Sequence, residues 1–419
     1  MLREVRTSRW PALLILCSAF LASAGNGISL VAFPWLVLQR TGSATEASIV
    51  AGAGTLPLLF ATLIAGTAVD FLGRRRVAML ADAMSALSVA AIPVLALTMG
   101  AGVLNTVVLA GLAALGAFFD PAGMTARLSM LPEAARRADW TLDHTNSVYE
   151  AVFNLAYITG PGIGGLLIAT LGGVSTMWVT AGAFGLSILA MAVLRLPGAD
   201  RPEPEERPDG VVSGVVEGLR FVWNNRVLRA LGLLELAVTG LYLPMESVLF
   251  PKYFSDRNEP AHLGWVLMAL SIGGLVGALS WTVLSRIASK RTTVLTAVAT
   301  FGTAATVIAF LPPLPLILVL SAVVGLVYGP IGPIYNSVMQ TRTPEQMRGR
   351  VVGVMTSMAY AAGPVGFMIA GPLVDAFGLR VAFLSLALPV LVIALLCPWA
   401  PAFRELDSPA PPEPTAPRL

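Results

Sequence analysis

Long apolar runs broken by short polar stretches set the pattern of this chain. Twelve of them approach the ~20 apolar residues that a helix needs to traverse a hydrocarbon core. They cover 11–38, 45–71, 76–98, 102–125, 142–171 and 174–196, then 227–254, 263–285, 290–311, 314–339, 349–375 and 379–399. The pattern predicts an all-α membrane protein with twelve transmembrane helices in two six-helix pseudo-repeats. An even number of crossings puts both termini on one side. The long hydrophilic break at 197–226 opens with a Pro/Glu/Arg linker. It then places Val211, Val215, Leu219 and Val222 at helical spacing, which predicts an amphipathic helix along the membrane surface. The expected organisation is an N-terminal half over 1–196, a cytoplasmic linker over 197–226, a C-terminal half over 227–399 and a Pro-rich cytoplasmic tail over 400–419, with its residues 405–419 expected to be disordered.

The two halves repeat weakly. Phe33–Pro34 near the end of the first span matches Phe250–Pro251 near the end of the seventh. Gly160–Pro161 recurs as Gly363–Pro364, and Arg75–Arg76 corresponds to Lys290–Arg291. Parallel six-span repeats of this kind suit a transporter that rocks one half against the other.

Composition agrees with a lipid environment. The chain is 56% hydrophobic and 12% charged, against about 25% charged in a soluble protein. A net charge of +3 is too small to point to nucleic acid. The basic residues are instead ordered by side. With the N-terminus cytoplasmic, only Arg40, Lys252, Arg257 and Arg380 fall in outer loops, and the other 23 of 27 lie inside. The first run has no small-residue cleavage site and is expected to stay as a span. Cys17 and Cys397, in apolar runs near opposite ends, are expected to be free and buried. His144 and His262 lack a second histidine at ligand spacing, so no metal site is expected. No Walker loop, nucleophile elbow or zinc pattern is present, so neither an enzyme nor a cofactor is expected.

Between the second and third spans stands AGTAVDFLGRRR, and in the fifth stands ITGPGIGGLL. The first resembles the loop signature of the major facilitator superfamily at Gly66, Asp70, Gly73, Arg74 and Arg75, departing from it at Phe71. The second resembles that superfamily's antiporter signature at Gly160, Pro161, Gly164 and Gly165. VAFPWLVLQRTGSA, FFDPAGMTARLSMLP and TPEQMRGRVVG narrow the resemblance to the macrolide-efflux-like branch and its actinobacterial multidrug pumps. The resemblance implies export, with the second and eleventh helices facing each other across the halves. Asp70, held by Arg74 or Arg75, is then a conformational latch, because a carboxylate is stabilised at the positive end of a facing helix. Asp120, placed near the inner end of the fourth span, is a second partner for those arginines. Gly160 and Gly164 form a small-xxx-small face, expected to meet the eighth helix at Gly273, Gly274 and Gly277.

Ionisable residues inside spans are costly and therefore candidates for function. Glu246, Glu235 and Asp82 are assigned to proton coupling. Glu235, Thr239, Tyr242 and Glu246 step by four, three and four, which forms one polar stripe on the seventh helix. The resemblance implies that the first, fourth, seventh and tenth helices line the cavity. There Asn26, Ser29, Tyr328 and Tyr335 are expected, with Glu150 and Asn154 on a polar face of the fifth helix. An apolar cavity with a few polar groups suits small amphiphilic substrates. The expected partners are that substrate, protons and membrane lipids, with no nucleic acid, and the protein is expected to be a monomer in the cytoplasmic membrane. A rival reading is export of an endogenous lipid or siderophore, with drugs as incidental cargo.

Overall fold

The computed structural model describes residues 8–196, 211–344 and 347–408. At Gly66, Asp70, Asn154 and Tyr157, among a few others, it describes backbone only, and the linker residues 197–210 and the tail beyond 408 lie outside it. The described residues form helices and short connections, with no strand among them. The first six long helices are α1 (Trp10–Thr41), α2 (Ala44–Leu72), α3 (Arg74–Met99), α4 (Thr106–Ala138), α5 (Leu142–Leu171) and α6 (Gly173–Val193). α7 (Val211–Asn224) precedes α8 (Arg226–Pro244), a π-turn at Met245–Leu249 and α9 (Phe250–Ser255). Then follow α10 (Pro260–Leu284), α11 (Lys290–Ile308), α12 (Leu314–Tyr328), α13 (Ile331–Arg342), α14 (Arg348–Phe377) and α15 (Leu379–Leu396).

Eleven of these helical stretches, counting α8–α9 and α12–α13 as continuous, are long and apolar enough to cross a membrane. α5, 30 residues long from Leu142 to Leu171, is the twelfth. Proline lies inside many of them, including Pro34, Pro57, Pro93, Pro121 and Pro161. Neighbouring helices in a bundle can re-satisfy the backbone groups that proline frees. Large apolar side chains such as Leu97, Val107 and Met368 are more than three-quarters exposed, which water would penalise and lipid does not.

The described helices sort into two compact units. The first joins Met1–Glu206 with Glu246–Met268 and Phe367–Ala376, and the second holds Arg207–Met245, Ala269–Gly366 and Phe377–Leu419. In the first unit α1 packs on α5 and α6, while α4 packs on α2 and α3. Its core includes Ile15, Leu16, Val77, Met130, Leu131, Tyr149 and Met191. In the second unit α11 packs on α12 and α15. Gly273 and Gly277 of α10 press against the backbone of α12 at Ala322 and Leu326, so close that no side chain fits.

Three local expectations are revised here. Cys397 is buried but Cys17 is exposed, on the same outward face of α1 as Leu13 four residues before it. The fourth helix was expected to end at 125 but continues to Ala138. The tenth span is broken, because α12 stops at Tyr328 and α13 restarts after Gly329–Pro330. Tyr328 and Tyr335 therefore stand on separate helices.

Candidate functional site

The longer α4 carries Arg127 into the interior, where it meets Asp82 of α3. Arg127 Nη2 donates to both oxygens of Asp82 at 2.5 Å. Ser187 of α6 donates to Asp82 at 2.6 Å, and Arg127 Nε donates to the hydroxyl of Ser18 on α1 at 2.9 Å. The two serine hydroxyls lie 2.7 Å apart. Asp82 and Arg127 are 3% and 5% exposed and the serines fully buried, so one ionic cluster ties four helices together. Breaking such a pair by removing one partner typically costs about 3–5 kcal/mol, because the other charge is left buried and alone. The sequence reading missed Arg127, since counting apolar residues ended the fourth span just before it.

Asp120 follows the same correction. It lies midway along α4 rather than near an end, and its carboxylate accepts from the Ser85 hydroxyl at 3.1 Å, with the side chain of Asn26 on α1 nearby. Ser85 stands about 15 Å along α3 from Arg75 at ~1.5 Å per residue. That is beyond the reach of an arginine side chain, so Asp120 does not partner Arg74 or Arg75. Arg75 Nη1 instead donates to the Leu194 carbonyl just past α6, at 2.8 Å. The loop itself is built on Gly73, whose φ of 88° lets one residue end α2 and begin α3. The Asp70 side chain lies outside the description.

The glycines of α5 divide between two neighbours. A Cβ on Gly160 would lie 2.8 Å from the Cα of Gly27, and one on Gly164 would lie 3.2 Å from the Cα of Ile28. Both face α1, not the eighth span. Gly165 meets that span: its Cβ would lie 2.6 Å from the Pro260 carbonyl oxygen of α10 and 2.8 Å from the Gly264 Cα. Gly162 also faces α10, against Met268. A four-residue spacing marks one face of a helix, but it does not say which neighbour covers that face. Gly273 and Gly277, expected against α5, pack on α12.

On α8, the Thr239 hydroxyl donates to Glu235 at 3.3 Å. Tyr335 of α13 is buried and its hydroxyl donates to the Leu231 carbonyl at 3.0 Å, close enough to the Glu235 carboxylate to interact with it electrostatically. Tyr328 lies within electrostatic reach of Glu235. Tyr242 packs edge-on against Phe301 at 5.9 Å. The α-helical register of this stripe stops at Pro244. Met245–Leu249 is a π-turn, a feature often found at functional positions. Glu246, 7% exposed, is therefore not the next rung of the Glu235–Thr239–Tyr242 stripe. Ser29 is tied to its own helix at the Gly25 carbonyl, Glu150 is exposed, and the Asn154 side chain lies outside the description.

Span-length helices packed on close glycine contacts, with a buried ion pair inside the first unit, define a polytopic membrane protein. The chain belongs to the Major Facilitator Superfamily, whose sequence profile matches residues 15–367 and 247–418. It is 69% identical over 401 residues to the multidrug efflux pump Tap of Mycolicibacterium fortuitum, across 96% of this chain and 98% of that protein. To the multidrug efflux pump Tap of Mycobacterium tuberculosis it is 64% identical, across 96% of each chain. Its fold is similar to the crystal structure of the nucleoside transporter NupG, with a TM-score of 0.74 at 14% identity, covering 95% of this chain and 99% of that one.

Proposed function

We propose that this protein exports amphiphilic drugs across the cytoplasmic membrane by alternating access, exchanging them for protons. The observation that carries the reading is the near full-length likeness to pumps named for multidrug efflux. Buried carboxylates with neutral partners give the proton a place to act. The Tyr335 hydroxyl donates to the Leu231 carbonyl, and Glu235 is the carboxylate near it that could compete for that hydrogen. An ionised Glu235 takes that hydrogen; a protonated one releases it to the α8 backbone. Protonation of Glu235 thus changes how α13 is held to α8. Glu246, buried in the π-turn, is the second carboxylate assigned to proton exchange. Asp82, clasped by Arg127, braces the helices as well.

The excess of arginine and lysine on one side supports cytoplasmic termini. Asp70, at the end of α2, is proposed as an inner latch, and the protein is proposed to act as a monomer. Reconstitution with a pH-sensitive dye in the vesicle lumen tests the reading. Adding a cationic amphiphilic drug to wild-type vesicles is expected to drive proton movement, and an imposed gradient is expected to drive uphill drug accumulation. Drug movement without any proton movement removes the coupling. No drug movement, with flux of a lipid or siderophore instead, favours the endogenous-cargo reading.

A further inference from the structure

The residues that close α2, Ile64–Gly73 (IAGTAVDFLG), recur at the close of α14 as Ile369–Gly378 (IAGPLVDAFG). Isoleucine, alanine, glycine, valine, aspartate and the final glycine coincide in register. The closing glycines share a positive φ, 88° at Gly73 and 81° at Gly378. The aspartate signature is therefore written twice, and Asp375 occupies in the second copy the place that Asp70 occupies in the first.

Asp375 is bonded to the start of α2. The Ser43 hydroxyl donates to its Oδ2 at 2.7 Å, the Ala44 N–H to Oδ1 at 2.9 Å and the Thr45 N–H to Oδ2 at 2.9 Å. The first N–H groups of a helix have no partner within it. Here Ser43 satisfies Glu46 N–H through its hydroxyl and Ala47 N–H through its carbonyl. The remaining two depend on a carboxylate more than 300 residues away in sequence. One turn earlier, Gly371 lies against Ala44, Thr45 and Ser48 so closely that a Cβ would come 2.7 Å from the Thr45 Cα. A further turn back, Phe367 lies against Gly52. Phe367, Gly371 and Asp375 thus form one face of α14 that follows the first turns of α2.

We propose that Asp375 is a positioning residue of the transport cycle. It clasps the end of α14 onto the start of α2 and lets go when the transporter opens at that end. Two features suit release rather than permanent bracing. The bonds are made at an exposed carboxylate against a helix N-terminus, where the attraction is modest and screened. α14 itself is divided, with Phe367–Ala376 packing in the first compact unit and the preceding stretch to Gly366 in the second. Gly363, Pro364 and Gly366 stand at that division, where a missing N–H and absent side chains weaken the helix. With cytoplasmic termini this is the outer end, so Asp375 and Asp70 mark opposite ends of α2. The inference rests on alternating access and not on the role assigned to Asp70.

Spin labels at Val107→Cys and Phe377→Cys, both exposed near this end, with Cys17 and Cys397 changed to serine, report its opening in lipid nanodiscs. Asp375→Asn, which removes the charge but keeps the shape, is expected to raise the ratio of long to short distances about fivefold. Ser43→Ala is expected to shift it the same way. Adding Ser43→Ala to Asp375→Ala is expected to add little, because both remove one contact. Wild-type distances in Asp375→Asn and Ser43→Ala, or fully additive shifts, overturn the clasp. Should Asp375→Ala fail to fold, the other two variants decide. A wild-type protein that shows both distance populations but moves no drug counts against the proposed function and leaves the clasp standing.

Discussion

Gly165 of α5 and Gly264 of α10 approach so closely that a Cβ on Gly165 would lie 2.8 Å from the Gly264 Cα. Gly164, the preceding residue, uses its missing side chain against α1 instead. The two glycines of one signature therefore serve different contacts. Gly165→Leu is expected to force α5 and α10 apart and abolish drug extrusion while the protein still reaches the membrane. Gly164→Leu, which disturbs packing on α1, is expected to lower the yield of folded protein. Surface expression and extrusion measured on the same cells separate the two outcomes. Normal extrusion by Gly165→Leu removes the α5–α10 contact from the transport mechanism.

The Asp82–Arg127 pair predicts an asymmetry between single and double substitutions. Arg127→Met leaves Asp82 buried without its cation and is expected to destabilise the protein by about 3–5 kcal/mol. Replacing both by apolar residues, as in Asp82→Leu with Arg127→Met, removes the unpaired charge and is expected to recover much of that loss. Melting curves in one detergent for the wild type, both singles and the double provide the comparison. Singles that melt with the wild type show the pair to be no brace.

The spans were legible because the thickness of a bilayer dictates the length of an apolar run. The end of α4 was not, because Arg127 is tolerated by a carboxylate on another helix, and nothing near it in sequence announces that partner. For the same reason Asp120 was assigned to Arg74 and Arg75, although Ser85 of α3 holds it. In α5 the spacing of Gly160 and Gly164 showed a close-packing face, while the identity of the neighbour depended on the fold. The π-turn after Pro244 broke a stripe that periodicity alone had extended to Glu246. The second copy of the α2 signature, ending at Gly378, was readable from the chain itself. That its aspartate reaches Ser43 was not.

If Asp70 is an inner latch, its charge governs which state is populated more than how tightly substrate binds. A carboxylate at a helix end contributes about 0.3–2 kcal/mol, enough to redistribute two conformations without unfolding either. Asp70→Asn is expected to lower turnover and leave the drug concentration for half-maximal transport nearly unchanged. Initial rates across a range of drug concentrations provide the check. A change confined to that half-maximal concentration argues for a binding role instead.

Proton coupling can be assigned by removing each carboxylate's ability to exchange a proton. Glu235→Gln and Glu246→Gln both mimic the protonated side chain, so the variant at the coupling residue loses gradient-driven accumulation while keeping downhill drug exchange. Tyr335→Phe discriminates further, because it deletes the hydroxyl that is bonded to the Leu231 carbonyl near Glu235. If Glu235 acts through that switch, Tyr335→Phe is expected to slow coupled transport severalfold and leave Glu235→Gln no worse when the two are combined. If Glu246 alone exchanges the proton, Tyr335→Phe and Glu235→Gln both retain accumulation and only Glu246→Gln loses it. Drug-induced proton flux, uphill accumulation and downhill exchange are to be measured on the same vesicles, since coupling is lost only where the first two fall and the third survives. Wild-type flux and accumulation in all three variants moves the proton site elsewhere, and Asp120, bonded to the neutral Ser85 of α3, is then the next carboxylate to test.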